Sequence, residues 1–185
     1  RGGDDSQSYI AMSYNDYNVS STHKYRFVIP SMAYCMRFLL KNFIEDRQEL
    51  DKLSFYIVNF FYSLVSSLLL FELLQCLGFG VLLSIIGVFM FITSRITVLV
   101  TGTPLVDSFY FASIVLVLLL TVKQKPRLLA LFLPILALSK ETVFPFLLIP
   151  LFTKTRESIS YVVSLIASSF IVLFVLRRVS CVGRN

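Results

Sequence analysis

The chain has 185 residues, of which 56% are hydrophobic and only 15% charged, with 18 Phe and no Trp. Its mean hydropathy of +0.78 excludes an ordinary water-soluble domain, which sits nearer half apolar and a quarter charged, and also a disordered or collagenous chain. Lys and Arg number 17 against 11 Asp and Glu, a net charge of +6; cytoplasmic loops of membrane proteins collect such an excess, and no basic stripe interleaved with aromatics calls for nucleic acid.

These balances predict an all-α fold: a polytopic transmembrane helix bundle with an extracytoplasmic loop and an interfacial amphipathic helix. The chain opens Arg1-Gly2-Gly3 with no initiator Met and no apolar signal segment, and reads as a fragment. Residues 1–52 form the predicted extracytoplasmic first loop. In it, Gly3-Asp4-Asp5-Ser6-Gln7-Ser8-Tyr9 carries two adjacent carboxylates. Such a pair can hold a hard divalent cation such as Mg or Mn, or take a proton; by spacing alone a solvated loop explains it as well. His23 has no second ligand in view and reads as a loop residue. Asn18-Val19-Ser20 matches a glycosylation sequon, which matters only in a eukaryotic secretory setting. Cys35, Cys76 and Cys181 are odd in number and far apart, so they support neither a zinc site nor a disulfide framework.

From 31 to 44, Met32, Met36, Leu39, Leu40 and Phe43 recur at spacings of three and four, with Ser31, Tyr34, Arg37 and Lys41 opposite. That pattern predicts an amphipathic helix with Pro30 in its first turn. It suits a helix lying in the headgroup plane or one packed on the bundle by its apolar face. The run Glu45-Asp46-Arg47-Gln48-Glu49-Leu50-Asp51-Lys52 reads as a solvated connector.

Residues 53–178 form the predicted bundle, followed by a tail at 179–185. Segments 53–74 and 76–94 are long enough to cross a ~30 Å hydrocarbon core and form a hairpin about Gln75, with Glu72 near the interface. Residues 95–107 form a more polar link, bracketed by Arg95 and Asp107, and 104–122 makes a third span. Lys123, Lys125 and Arg127 then mark a cytoplasmic end. Counting back, 95–107 lies outside, the Gln75 turn inside, and the polar N-terminal region outside, where Lys24 and Arg26 require a local partner.

Segments 128–138 and 143–152 flank Ser139-Lys140-Glu141-Thr142, either as one long span with an ion pair in it or as a broken pair. A final span covers 159–176. An ionisable group at mid-depth costs roughly 2.5–3.5 kcal/mol and usually marks a site, which singles out Lys140 and Glu141; the structural alternative is a pair snorkelling to the interface.

No P-loop, H-E-x-x-H, G-x-S-x-G or Rossmann pattern occurs, which disfavours ATPases, zinc proteases, serine hydrolases and nicotinamide enzymes. Two classes fit: an enzyme working on a lipid-linked substrate at the outer surface, and a transporter with an intramembrane ion pair. Three ordered elements, Gly3-Asp4-Asp5-Ser6-Gln7-Ser8-Tyr9-Ile10-Ala11, Tyr25-Arg26-Phe27-Val28-Ile29-Pro30 and Lys140-Glu141-Thr142, with a segment from Pro104 to Asp107 before the last, resemble the multi-spanning glycosyltransferases of the GT-C type. The resemblance implies a polyprenyl-phosphate sugar donor, a lipid, glycan or protein acceptor, and a multi-pass location in a bacterial cytoplasmic membrane. It implies Asp5 as catalytic base or metal ligand, since Asp5 stands four residues before Tyr9, with Asp4 and Glu141 as supporting acids. Arg26, Lys140 and Arg95 would meet the lipid phosphate. The family's first membrane helix is not in this sequence, as expected of a chain truncated before Arg1. The alternatives are a polysaccharide polymerase or a lipid-linked glycan transporter or flippase working through Lys140 and Glu141, and a structural subunit of a membrane complex.

Overall fold

The computed structural model describes residues 3–14, 16, 19, 26–137 and 167; His23, Lys140, Glu141, the sequon and the spans expected at 143–152 and 159–176 lie outside them. Among the described residues the fold is all-helical, with seven helices of the main run: α1 (Gly3–Met12), α2 (Val28–Leu40), α3 (Arg47–Cys76), α4 (Val81–Thr93), α5 (Arg95–Gly102), α6 (Asp107–Val122) and α7 (Pro126–Ala137).

Local chemistry sets most of the boundaries. The segment expected to be a loop around Asp4 and Asp5 is helical instead: acids in a first turn complement the partial positive charge of a helix N-terminus. In α2, Pro30 falls among the first three residues, where no intrahelical N–H bond is required. The charged run at 45–52 is a helix start and not a connector. The Asp46 side chain accepts from Gln48 N at 3.0 Å, capping α3 six residues before the expected span, and Glu49 sits in the first turn. At the other end α3 runs through Gln75, the expected turn, to Cys76. It closes where Gly78 takes φ +89°, with Phe79 N bonded to Leu74 O and Gly78 N to Gln75 O, the glycine-terminated helix end that only a left-handed residue completes.

The expected 76–94 span and its polar link are likewise redrawn. Ser94, with φ −60° and ψ 140°, ends α4, and its hydroxyl accepts from Thr97 N to start α5. Helices α4 and α5 are bent by 53° at this break. Beyond α6 a second left-handed residue, Gln124 (φ 51°), turns the chain into α7, which begins at Pro126.

Polar contacts between helices fix how they run. Ser108 on α6 donates to Asn59 on α3 at 2.6 Å, and Lys123 after α6 meets Glu72 near the end of α3 at 2.6 Å. Helices α3 and α6 therefore run parallel. Between them the chain returns antiparallel: Gln75 bonds Ser84 at 2.9 Å and Ser63 bonds Thr101 at 2.9 Å. Gly87 on α4 allows the close approach, since a Cβ there would stand 2.8 Å from Leu74 Cδ1. The parallel course of α3 and α6 places the Gln75 turn and Lys123 at one end of the bundle, as the charge pattern predicts. At the other end Tyr9 and Met12 of α1, Ile29 and Ala33 of α2, Phe55 and Val58 of α3, and Val106 and Phe109 form one core.

Small polar groups share the interior with this apolar core, and many large apolar groups lie outside. Ser54, Asn59, Ser66, Ser67, Ser84, Ser108 and Ser113 are buried, while Leu82, Phe89 and Met90 of α4 are exposed by 72, 65 and 67%. Helix α3 is long and apolar enough to cross a membrane, and only 28% of its apolar window is buried, whereas the core helix of a water-soluble protein would be mostly covered. Helices α4 and α5 meet the same length and composition test taken together. Large exposed apolar surface mated to small-residue helix contacts is the pattern expected when lipid is the solvent.

Candidate functional site

Two polar constellations sit at the end of the bundle formed by α1, α2 and the start of α3. The first contains residues expected from the sequence. Asp4 and Asp5 lie in the first turn of α1, and position 5 stands one helical turn before Tyr9. Tyr9 is 2% exposed, and its hydroxyl accepts from Arg26 Nη1 at 3.1 Å. Arg26 directly precedes Phe27 at the start of α2, so this contact ties the acid-bearing helix to the segment that leads into α2. Arg95 opens α5 and is exposed; among the described residues no hydrogen bond or ion pair joins it to Tyr9 or Arg26. Nor, among them, do three His, Cys, Asp or Glu side chains gather as metal ligands.

The second constellation was not expected. Arg37, placed by periodicity on the side of α2 opposite the apolar stripe, is 8% exposed. Its Nη1 donates to Ser13 O at 2.8 Å and its Nη2 to Ser13 Oγ at 2.6 Å. Nη2 also reaches Asp51 Oδ1 at 2.8 Å, and Asp51 accepts from the Tyr14 hydroxyl at 2.7 Å. The Arg37 guanidinium lies 3.5 Å from the Tyr14 ring centroid. Arg47 donates to the Tyr14 hydroxyl at 3.1 Å, with its own guanidinium 4.5 Å from the same ring. One buried arginine thus pins α1, α2 and α3 together.

The face of α2 turned inward is centred on Ile29, Pro30, Ala33 and Arg37; of the expected Met, Leu and Phe stripe, Met32 and Met36 pack against the core from its edge. Leu39 and Phe43 point away from the protein, exposed by 60 and 83%. Apolar side chains need not turn inward where the outside is apolar, and a guanidinium with three partners is better satisfied inside than in hydrocarbon. The signal that could have found this face is the four-residue spacing of Ile29, Ala33 and Arg37; the stronger Met/Leu/Phe periodicity masked it.

No known protein family, curated protein or solved structure matches the chain.

Proposed function

We propose that this chain belongs to a multi-pass glycosyltransferase of the GT-C type in a bacterial cytoplasmic membrane. It transfers a sugar from a polyprenyl-phosphate donor to a lipid, glycan or protein acceptor on the extracytoplasmic side. The observation that supports this best is the 3.1 Å contact between Arg26 and the buried Tyr9 hydroxyl, which couples a phosphate-type cation to the helix bearing Asp4 and Asp5. A guanidinium suits a phosphate leaving group because it donates two parallel charge-assisted bonds. Asp5 takes the acceptor hydroxyl proton as the acceptor oxygen bonds the anomeric carbon. The carbon–oxygen bond to phosphate breaks, and polyprenyl phosphate leaves with that electron pair. Asp4 supports the charge of this site, and the resemblance adds Glu141 as a second supporting acid and Lys140 as a phosphate contact.

The test compares wild type with Asp5→Asn in membranes supplied with a labelled polyprenyl-phosphate sugar. Loss of a positioned general base lowers transfer by about 10²–10⁴-fold. Undiminished transfer at an equal level of protein in the membrane removes Asp5 from the mechanism.

A further inference from the structure

Helices α4 and α5 meet at a bend of 53°, and the crook of that bend faces α3. Each arm is tied down separately, α4 through Ser84 to Gln75 and α5 through Thr101 to Ser63. The space between them stays open as a pocket of about 450 Å³ with Ser63, Ser67, Thr97 and Thr101 in its lining. These hydroxyls are already engaged. Ser67 donates to Ser63 O at 2.8 Å and Thr101 to Thr97 O at 2.8 Å; Ser63 pairs with the Thr101 hydroxyl, and Thr97 Oγ1 accepts from Ser94 at 2.9 Å. What the pocket presents is therefore almost entirely apolar surface. Water needs about two to four polar partners to settle in a cavity, and these hydroxyls offer it few. An unfilled hollow forfeits dispersion contacts along its whole lining. Hydrocarbon answers both conditions.

Depth and rim identify the source of that hydrocarbon. Tyr56, at one end of the lining, stands nine residues after Arg47, and Ser67, at the other, nine before Cys76. The pocket thus occupies the middle of α3, about 14 Å from either end, the level of acyl chains in a bilayer that α3 crosses. Its rim, Phe60 and Leu64 of α3, Ile92 of α4 and Val98 of α5, is exposed and apolar, so the mouth opens onto chains and not onto headgroups. We infer that the pocket takes one fatty-acyl chain of a bilayer phospholipid, wedged between α3 and the α4–α5 break. The inference rests on the membrane part of the function proposed above and is independent of sugar transfer.

The experiment uses the full chain in nanodiscs of phosphatidylcholine doped with the same lipid carrying a diazirine midway along one acyl chain. After irradiation, labelled residues are located by tandem mass spectrometry. Labelling is expected to concentrate on the α3 and α5 residues of the pocket, above Leu82, Phe89 and Met90 of α4, which are more exposed but lie outside it. Gly102 lines the pocket, and a Cβ there would meet nothing within 4 Å, so Gly102→Leu fills the space without a clash. This variant is expected to lower pocket labelling by about tenfold or more, the affinity carried by roughly two buried methylenes, and to leave labelling of α4 unchanged. Gly80→Leu, equally unhindered but outside the pocket, is expected to label as wild type. Pocket labelling no stronger than that of α4, or unchanged in Gly102→Leu, overturns the inference; suppression by an equimolar polyprenyl phosphate overturns the phospholipid assignment. Labelling of neither surface overturns the membrane reading with it, whereas labelling of α4 alone overturns this inference and leaves that reading standing.

Discussion

Replacing Arg37 by Met tests whether one buried cation organises the N-terminal unit. The side chains of Arg37 and Asp51 are 10 and 11% exposed, so solvent screens their pairing little. Arg37→Met strips the Asp51 carboxylate of its cation, leaving it the Tyr14 hydroxyl at 2.7 Å, and takes two bonds from Ser13. Breaking a buried pair from one side costs about 3–5 kcal/mol. Removing both charges, as in Arg37→Met/Asp51→Leu, leaves no lone buried ion; the remaining cost is the unpaired Ser13 groups, about 1–3 kcal/mol. The double-mutant cycle is therefore expected to show a coupling of about 2 kcal/mol or more. The chain has no Trp, so unfolding of the full chain in mild detergent is followed by far-UV circular dichroism. If the two single costs simply add, or Arg37→Met costs less than about 1 kcal/mol as an exposed pair would, the buried-anchor account is wrong.

Three further outcomes are expected. Asn59→Leu leaves the Ser108 hydroxyl and Thr103 carbonyl, now bonded at 2.6 and 2.9 Å, without their partner; a loss of about 1 kcal/mol in the same unfolding assay is expected, and none would show that the α3–α6 contact does not use this node. Gln124→Gly relieves a left-handed backbone at φ 51°; about 1 kcal/mol of strain less the added entropy of the unfolded chain leaves roughly 0.5 kcal/mol of stabilisation, and a lowered Tm would refute it. Lys123 is held above its usual 10.5 by its hydrogen bond from Nζ to Glu72, with the attraction of that carboxylate adding to it. Because the folded value is the higher one, this contribution is fully present below about 10.5 and is lost as pH rises through the folded value. The Tm difference between wild type and Lys123→Gln is thus expected to stay level from neutral to about pH 10 and to close above it; closure near neutral pH would contradict the assignment.

Composition and apolar period were enough to determine an all-helical chain, the approximate positions of α2, α3, α6 and α7, and the common end shared by the Gln75 turn and Lys123. Those features follow from hydrogen-bond saturation in an apolar setting and from charge, both local properties of the residues. The contact between Tyr9 and Arg26 was not legible in the sequence, because the residues stand far enough apart in the chain that any loop could separate them. Boundaries were misjudged where one side chain decides them: Asp46 begins α3 inside a run that looks solvated, and the Ser94 hydroxyl restarts a helix in a stretch that looks like a link.

The direction of α2 belongs to tertiary structure alone. Its residues present an apolar stripe and a polar one, and amphipathicity says only that the two differ, not which of them faces protein. Ser13 and Tyr14 after α1 and Asp51 of α3 supply what the guanidinium of Arg37 needs, so Arg37 turns inward while Tyr34 and Lys41 stay exposed, and Phe38, Leu39 and Phe43 turn out. A burial pattern of this kind depends on partners distant in sequence and on whether water or lipid lies outside, and neither is written in the period of the helix itself.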